Sequence, residues 1–132
     1  MPAGGAAPAT ATMAAMKARP PEPVRLSVSI VLHNSSLEML QRVLAGLHRS
    51  AAMAFAAASI DQVLVEILDN SSDLEFRARA AAVAASSPQS DFFKVSYRGL
   101  PENRGFGAGH NIAIAELKSD YHLILNPDAE LA

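Results

Sequence analysis

The sequence predicts an α/β protein with a Rossmann-like, mostly parallel sheet flanked by helices. Short β-branched aliphatic runs, such as Leu26–Leu32 and Gln62–Leu68, alternate with segments whose apolar residues have helical spacing. This alternation is typical of right-handed β-α-β units, whose parallel strands are covered on both faces. Each predicted strand also ends in polar residues. Because the carboxyl ends of parallel strands share one edge of the sheet, we expect these polar groups to form a ligand site.

The first unit is a strand, a polar turn and a helix. The strand is Leu26–Leu32, and the turn after it begins with His33 and Asn34. Ser35 and Glu38 fit a capping box, in which a hydroxyl and a carboxylate bind the free N–H groups of a helix start. One apolar stripe at helical spacing then follows, formed by Leu37, Leu40, Val43, Leu44 and Leu47.

The second unit repeats this pattern and leads into the rest of the sheet. The strand Gln62–Leu68 is followed by a second capping box, Ser72 with Glu75, and by a helix that extends to about Ala85. The remaining predicted elements are a strand at Phe92–Tyr97, a loop at Gly99–Gly109, a short helix at Ala108–Lys118 and a strand at Tyr121–Leu125.

Composition limits the chain to one domain and excludes several function classes. We expect residues 1–24, rich in Ala and Pro, to form a disordered tail before a domain at residues 25–132. A net charge of −2 without a basic stripe argues against a nucleic-acid partner. The chain has no cysteine, which excludes disulfides and thiolate metal sites. No apolar run is long enough for a transmembrane segment.

Two carboxylates at strand ends are the first candidate site residues. Asp69 follows the second strand and can accept hydrogen bonds from a base N–H or from ribose hydroxyls. Asp128, in the turn Asn126-Pro127-Asp128, offers a hard oxygen to Mg²⁺ or Mn²⁺, whose other ligands would be phosphate oxygens and water. Each stretch is also an ordinary turn sequence, because Asp, Asn, Ser and Pro favour turns and helix caps.

The glycine-rich stretch Glu102–Gly109 is the third candidate. Its alternating glycines let the backbone approach a ligand closely, and Arg104 adds a planar donor group. A flexible connecting loop is the alternative. Among the histidines, His33 lies at the end of the first strand and faces the expected site, whereas we expect structural roles for His48 and His122.

Four segments of the chain carry motifs that can be compared with known families. They are Ser29-Ile30-Val31-Leu32-His33-Asn34-Ser35, Leu68-Asp69-Asn70-Ser71-Ser72, Asn103-Arg104-Gly105-Phe106-Gly107-Ala108-Gly109 and Leu125-Asn126-Pro127-Asp128. Each motif is weak alone, but together they resemble the N-terminal half of a family 2 glycosyltransferase of the GT-A fold, especially its rhamnosyltransferase-like branch. Their order and spacing match the family over Leu26–Ala132.

The resemblance implies an inverting transfer of sugar from a nucleotide-diphosphate sugar, such as dTDP-rhamnose or a UDP-sugar, to an acceptor hydroxyl. It implies a glycan or lipid-linked acceptor, polysaccharide or cell-surface glycan synthesis, and a cytoplasmic protein, peripheral to the inner face of the membrane. Asp128 would bind the divalent metal, Mg²⁺ or Mn²⁺, as the last position of the DxD motif. The implied substrate-binding residues are His33, Asn34, Asp69, Asn103, Arg104, Gly105 and Asn126.

Three positions depart from the family pattern. Asn126 replaces the first Asp of the DxD motif, His33 stands where Tyr is usual, and His110 where Asn is usual. Two further alternatives are a non-catalytic nucleotide-binding module or inactive fragment, and a receiver-like domain, which would need several acids where the chain has His33 and Asn34. By resemblance the general base lies beyond Ala132, so we expect this chain not to turn over substrate.

Overall fold

Four strands and two long helices form most of the part of the chain that the structure describes. The structure is a computed structural model, and it describes residues 22–101, 110–112 and 118–128. In chain order the elements are β1 (Val24–Leu32), α1 (Leu37–Ala56), β2 (Ile60–Asp69), α2 (Leu74–Ser86), β3 (Phe93–Gly99) and β4 (Tyr121–Leu125).

The strands form one parallel sheet in the order β3-β2-β1-β4. The predicted α/β architecture is therefore confirmed. β4 has the predicted bounds, β1 begins two residues earlier than predicted, and β2 is longer at both ends. Within the predicted Ala108–Lys118 helix, residues 110–112 are helical and Lys118 is not. The other residues of this predicted helix lie outside the described residues. Residues 1–21 of the predicted tail also lie outside them.

Both long helices begin one residue later than the predicted capping boxes require. The cap of α1 is Ser36, whose Oγ accepts a hydrogen bond from the N–H of Met39 at 3.2 Å. The cap of α2 is Asp73, which accepts from the N–H of Glu75 at 3.0 Å. The predicted caps, Ser35 and Ser72, were therefore wrong. The Oγ of Ser35 instead accepts from the N–H of His33, within the turn.

The main core lies between one face of the sheet and the two long helices. Alternate residues of β1, Val28, Ile30 and Leu32, are fully buried against the apolar stripe of α1. The other core residues come from all of these elements: Leu40, Val43, Leu44, Leu47, Ala51, Val63, Val65, Ile67, Phe76, Ala80, Ala84 and Phe93.

A smaller apolar cluster lies on the opposite face of the sheet. Val31 and Leu68 point away from α1 and α2, and they pack with Leu100 and with Ile112 of the short helix. Helices therefore flank both faces, as the alternating pattern predicted. This arrangement brings the carboxyl ends of all four strands to one edge of the sheet.

Candidate functional site

The order of the strands creates a crevice between β1 and β4. β2 lies on one side of β1 and β4 on the other, so the direction in which successive strands are added reverses at β1. In open parallel sheets, ligands bind at such a reversal, beyond the carboxyl ends of the two strands. Two turns flank the crevice here. We call residues 33–36 the β1 turn and residues 126–128 the β4 turn.

These two turns line an open cavity of about 440 Å³. Asn126 and Asp128 are exposed on the side of the β4 turn. On the other side, the first residues of α1 present a helix N-terminus, whose free N–H groups favour anions. A carboxylate and a helix N-terminus thus share one cavity. Its lining residues are Ser35, Ser36, Met39, Asn126, Pro127 and Asp128.

Two serine hydroxyls hold the backbone of the β1 turn. The N–H of His33 donates to the Oγ of Ser35 at 3.1 Å, and the N–H of Asn34 donates to the Oγ of Ser71 at 2.7 Å. Asn34 has a positive φ of 50°, a conformation that Asn tolerates better than most residues. The side chains of His33 and Asn34 are exposed at the end of β1.

At the end of β2, the carboxylate of Asp69 is completely buried. Its Oδ1 accepts a hydrogen bond from the N–H of Ser71 at 2.9 Å, and its Oδ2 accepts from the hydroxyl of Tyr97 at 2.7 Å. Burial and the neighbouring carboxylate raise the pKa of Tyr97, so its hydroxyl remains protonated and donates. Asp69 therefore ties the ends of β2 and β3 together.

Arg77 strengthens the same region. Its Nε donates to the carbonyl of Ser71 at 2.6 Å, and its guanidinium also donates to the carbonyl of Leu100. Ser71, Arg77 and Tyr97 were not predicted as site residues. Ser71 belongs to the Leu68–Ser72 motif, but its contact with Asn34 depends on the β1–β2 pairing, which places Leu32 beside Asp69. Tyr97 carries no sequence signal, because its contact depends on the β2–β3 pairing, which places it beside Ile67.

The Glycosyl transferase family 2 model matches residues 27–132. The chain belongs to glycosyltransferase family 2. A glycosyltransferase function is thereby supported at the level of the family. No curated protein gave a significant match.

The two carboxylates singled out in this glycosyltransferase chain lie in different surroundings. Asp128 is exposed on the wall of the cavity, whereas Asp69 is buried beneath the neighbouring strand ends. The β1 turn connects the two, because Asn34 contacts Ser71 and the next two residues line the cavity. Asn103, Arg104 and Gly105 lie outside the described residues.

Two histidines, His110 buried and His122 half-buried, lie on the second face of the sheet. His122 bridges Ser27 and Ser29, with its Nδ1 at 2.7 Å from one hydroxyl and its Nε2 at 2.9 Å from the other. The Nδ1 of His110 is 2.6 Å from the same Ser29 hydroxyl. Burial lowers the pKa of both histidines, and the nearby His122 lowers that of His110 further. The network anchors the short helix to β1.

His48 lies away from the crevice, stacked on Phe92 with ring centroids 5.7 Å apart. Within residues 22–101, 110–112 and 118–128, no three His, Cys, Asp or Glu side chains lie close enough together to hold a metal ion by themselves. Asp128 and Asn126 supply oxygen donors in the cavity, and this small set fits a hard cation that takes its other ligands from substrate and water. No helix in the described ranges is long and apolar enough to cross a membrane.

Proposed function

We propose that the crevice between β1 and β4 binds the diphosphate of a nucleotide-sugar donor, and that the protein transfers this sugar to an acceptor hydroxyl. The cavity between the β1 and β4 turns is the observation that supports this proposal most directly. It lies where ligands bind in open parallel sheets, and it combines a helix N-terminus with the carboxylate of Asp128.

The reaction is a displacement at the anomeric carbon of the sugar. A bond forms from the acceptor oxygen to that carbon while the bond from the carbon to the diphosphate breaks, with inversion. A general base takes the proton of the acceptor hydroxyl, and negative charge develops on the leaving diphosphate. Groups that stabilise this charge therefore lower the barrier. The N-terminus of α1, whose residues Ser36 and Met39 line the cavity, would contribute to this stabilisation.

A divalent cation, Mg²⁺ or Mn²⁺, is part of the proposal. A diphosphate placed beside Asp128 would be repelled by this carboxylate unless a cation lay between the two. Asp128, with the amide oxygen of Asn126, would hold the ion. When bound, such an ion acts as a Lewis acid on the leaving phosphates. With a single carboxylate in the β4 turn, we expect the ion to bind mainly together with the nucleotide.

For the base and ribose we propose the remaining candidates. Asp69 remains a candidate acceptor for a base N–H or a ribose hydroxyl on the resemblance alone, because its carboxylate is buried and both oxygens accept hydrogen bonds within the protein. His33 and Asn34 are exposed at the end of the adjacent strand. We keep Asn103, Arg104 and Gly105 as candidates on the resemblance alone. The same basis supports a rhamnosyl or UDP-linked donor, a glycan or lipid-linked acceptor, and action at the cytoplasmic side of the membrane in polysaccharide synthesis.

Calorimetric titration of UDP and dTDP tests the proposal. With Mg²⁺ or Mn²⁺ present, we expect the wild type to bind at least one of them. Excess chelator or the substitution Asp128→Ala should weaken binding by roughly tenfold or more, because a charge-mediated contact is typically worth 1.5–3 kcal/mol. The nucleoside monophosphates should depend less on the metal, since they offer fewer phosphate oxygens to complete its shell.

Asp91→Asn provides the matched control. Asp91 is an exposed acid in the turn before β3, at the opposite edge of the sheet, so its removal changes the net charge without altering the crevice. Binding by this variant should equal that of the wild type. Metal-independent binding, or unchanged affinity in a folded Asp128→Ala variant, would rule out the assignment of Asp128. Absence of any nucleotide binding would rule out the site.

A further inference from the structure

Ser71 lies where the end of β2, the β1 turn and helix α2 meet. Its side chain is completely buried. Its N–H donates to Asp69, its hydroxyl accepts from the N–H of Asn34, and its carbonyl accepts from Arg77. Each contact reaches a different element: the end of β2, the β1 turn and helix α2.

The contact to Asn34 connects this junction with the cavity. Asn34 has a left-handed backbone, which costs free energy for a residue other than Gly. The hydrogen bond from its N–H to Ser71 holds the turn in this conformation, at 2.7 Å. Ser35 and Ser36 follow directly and line the cavity. The position of one cavity wall therefore depends on a serine that lies beneath it.

We propose that Ser71 is a positioning residue for the nucleotide site, and that Tyr97 and Arg77 act on this site through it. This inference rests on the proposed function of the crevice. Ser71 holds the β1 turn, while Tyr97 orients Asp69 and Asp69 in turn orients Ser71. A hydrogen-bonded chain thus runs from the outer strand β3 to the wall of the cavity.

Hydrogen bonds hold the backbone on both sides of Ser71. The backbone of Ser71 follows the end of β2, where the main chain could otherwise rotate. The N–H contact to Asp69 fixes the peptide plane before Ser71, and the Arg77 contact to the carbonyl of Ser71 fixes the plane after it. The N–H of Asn70 also donates to the carbonyl of Leu32, at 2.8 Å. The hydroxyl of Ser71 is therefore presented in one orientation.

Affinity measurements on variants that remain folded test this role. We would titrate UDP or dTDP with Mg²⁺ into wild type, Ser71→Ala, Tyr97→Phe and the double variant, well below their unfolding temperatures. Loss of one positioning hydrogen bond should raise the dissociation constant about three- to tenfold for Ser71→Ala. Tyr97→Phe should have a smaller effect, and the double variant should resemble Ser71→Ala alone, because both substitutions act through one chain.

Ser59→Ala is the matched control, because Ser59 is exposed in the turn before β2, at the edge of the sheet away from the crevice. Amide hydrogen exchange adds a readout that needs no ligand: Ser71→Ala should speed exchange at Asn34, and Ser59→Ala should not. If Tyr97→Phe folds and Ser71→Ala does not, a nucleotide affinity equal to wild type in Tyr97→Phe overturns the inference.

Failure of this inference and failure of the proposed function give different experimental results. If wild type binds nucleotide and depends on Asp128, but folded Ser71→Ala binds equally tightly, this inference is wrong and the proposed function stands. Strictly additive effects of Ser71→Ala and Tyr97→Phe would also overturn it, because independent sites add. If wild type binds no nucleoside diphosphate, the proposed function and this inference fall together.

Discussion

The carboxyl-terminal edge of the sheet has two halves, and an aspartate is buried in one and exposed in the other. At the β2–β3 end, Asp69 is buried and both of its oxygens are bonded within the protein. At the β1–β4 end, Asp128 is exposed beside a cavity of about 440 Å³. Asp69 is the last residue of β2 and Asp128 lies three residues after β4, so both stand at the end of an aliphatic strand and the residue type does not explain the difference. The location in the sheet does.

The topology gives the physical reason. β2 and β3 are neighbours with successive connections on the same side, so helix α2 packs close to their ends and fills the space with side chains such as Phe76 and Arg77. β4 is added on the other side of β1 from β2 and β3, and this reversal leaves a crevice between β1 and β4. The first half is therefore filled and bonded within the protein, whereas the second leaves room for a ligand.

The largest expected contrast is between Asp69→Ala and Asp128→Ala. Asp69→Ala leaves the N–H of Ser71 and the hydroxyl of Tyr97 without their acceptor, so we expect a loss of about 2–4 kcal/mol in the free energy of unfolding. Asp128→Ala, at an exposed position, should change it by less than about 0.5 kcal/mol. Urea unfolding followed by circular dichroism measures both. Equal stability of the two variants would contradict the comparison.

A smaller effect, with a defined pH dependence, is expected from Tyr97→Phe. Loss of the hydrogen bond to Asp69 should cost about 1 kcal/mol at neutral pH. The folded protein raises the pKa of Tyr97 above its ordinary value of 10.0. The stability from this bond is therefore fully present below pH 10 and is lost as the pH rises further, because the unfolded chain releases the proton first.

Urea unfolding at pH 8 and at about pH 11 checks this sign, since the difference between wild type and Tyr97→Phe should shrink at the higher pH. Tyr121→Phe serves as a control at pH 8, because Tyr121 is 64% exposed. A difference that grows with pH would show that Tyr97 is not held as a neutral donor.

The smallest effect should come from Gly99→Ala, at the end of β3. A Cβ at this position would lie 2.8 Å from Nη1 of Arg77, so the guanidinium must shift from its place between the carbonyls of Ser71 and Leu100. We expect a loss of about 0.5–1 kcal/mol in the free energy of unfolding. In an Arg77→Ala background the same substitution should be neutral or stabilising, because Gly weakens a strand. A cost that persists there would exclude the proposed clash.

The sequence alone predicted the fold class and the strand positions well. Aliphatic β-branched runs and a helical apolar stripe are local patterns, and they follow directly from what each element must bury. The caps of both helices were predicted one residue too early. In each case two polar residues that can cap stand next to each other, Ser35 with Ser36 and Ser72 with Asp73, and the surrounding hydrogen bonds select the second.

What each strand-end carboxylate contacts was decided by the tertiary structure. The sequence places Asp69 and Asp128 equally well at strand ends, and it does not say which strand neighbours which. In the observed order β3-β2-β1-β4, Asp69 is buried under Tyr97 and Asp128 lies beside a cavity. Patterns along the chain report what a residue's own element must bury. Strand order and register depend on pairings between residues far apart in sequence, and these contacts determine which polar groups are bonded internally and which remain open to a ligand.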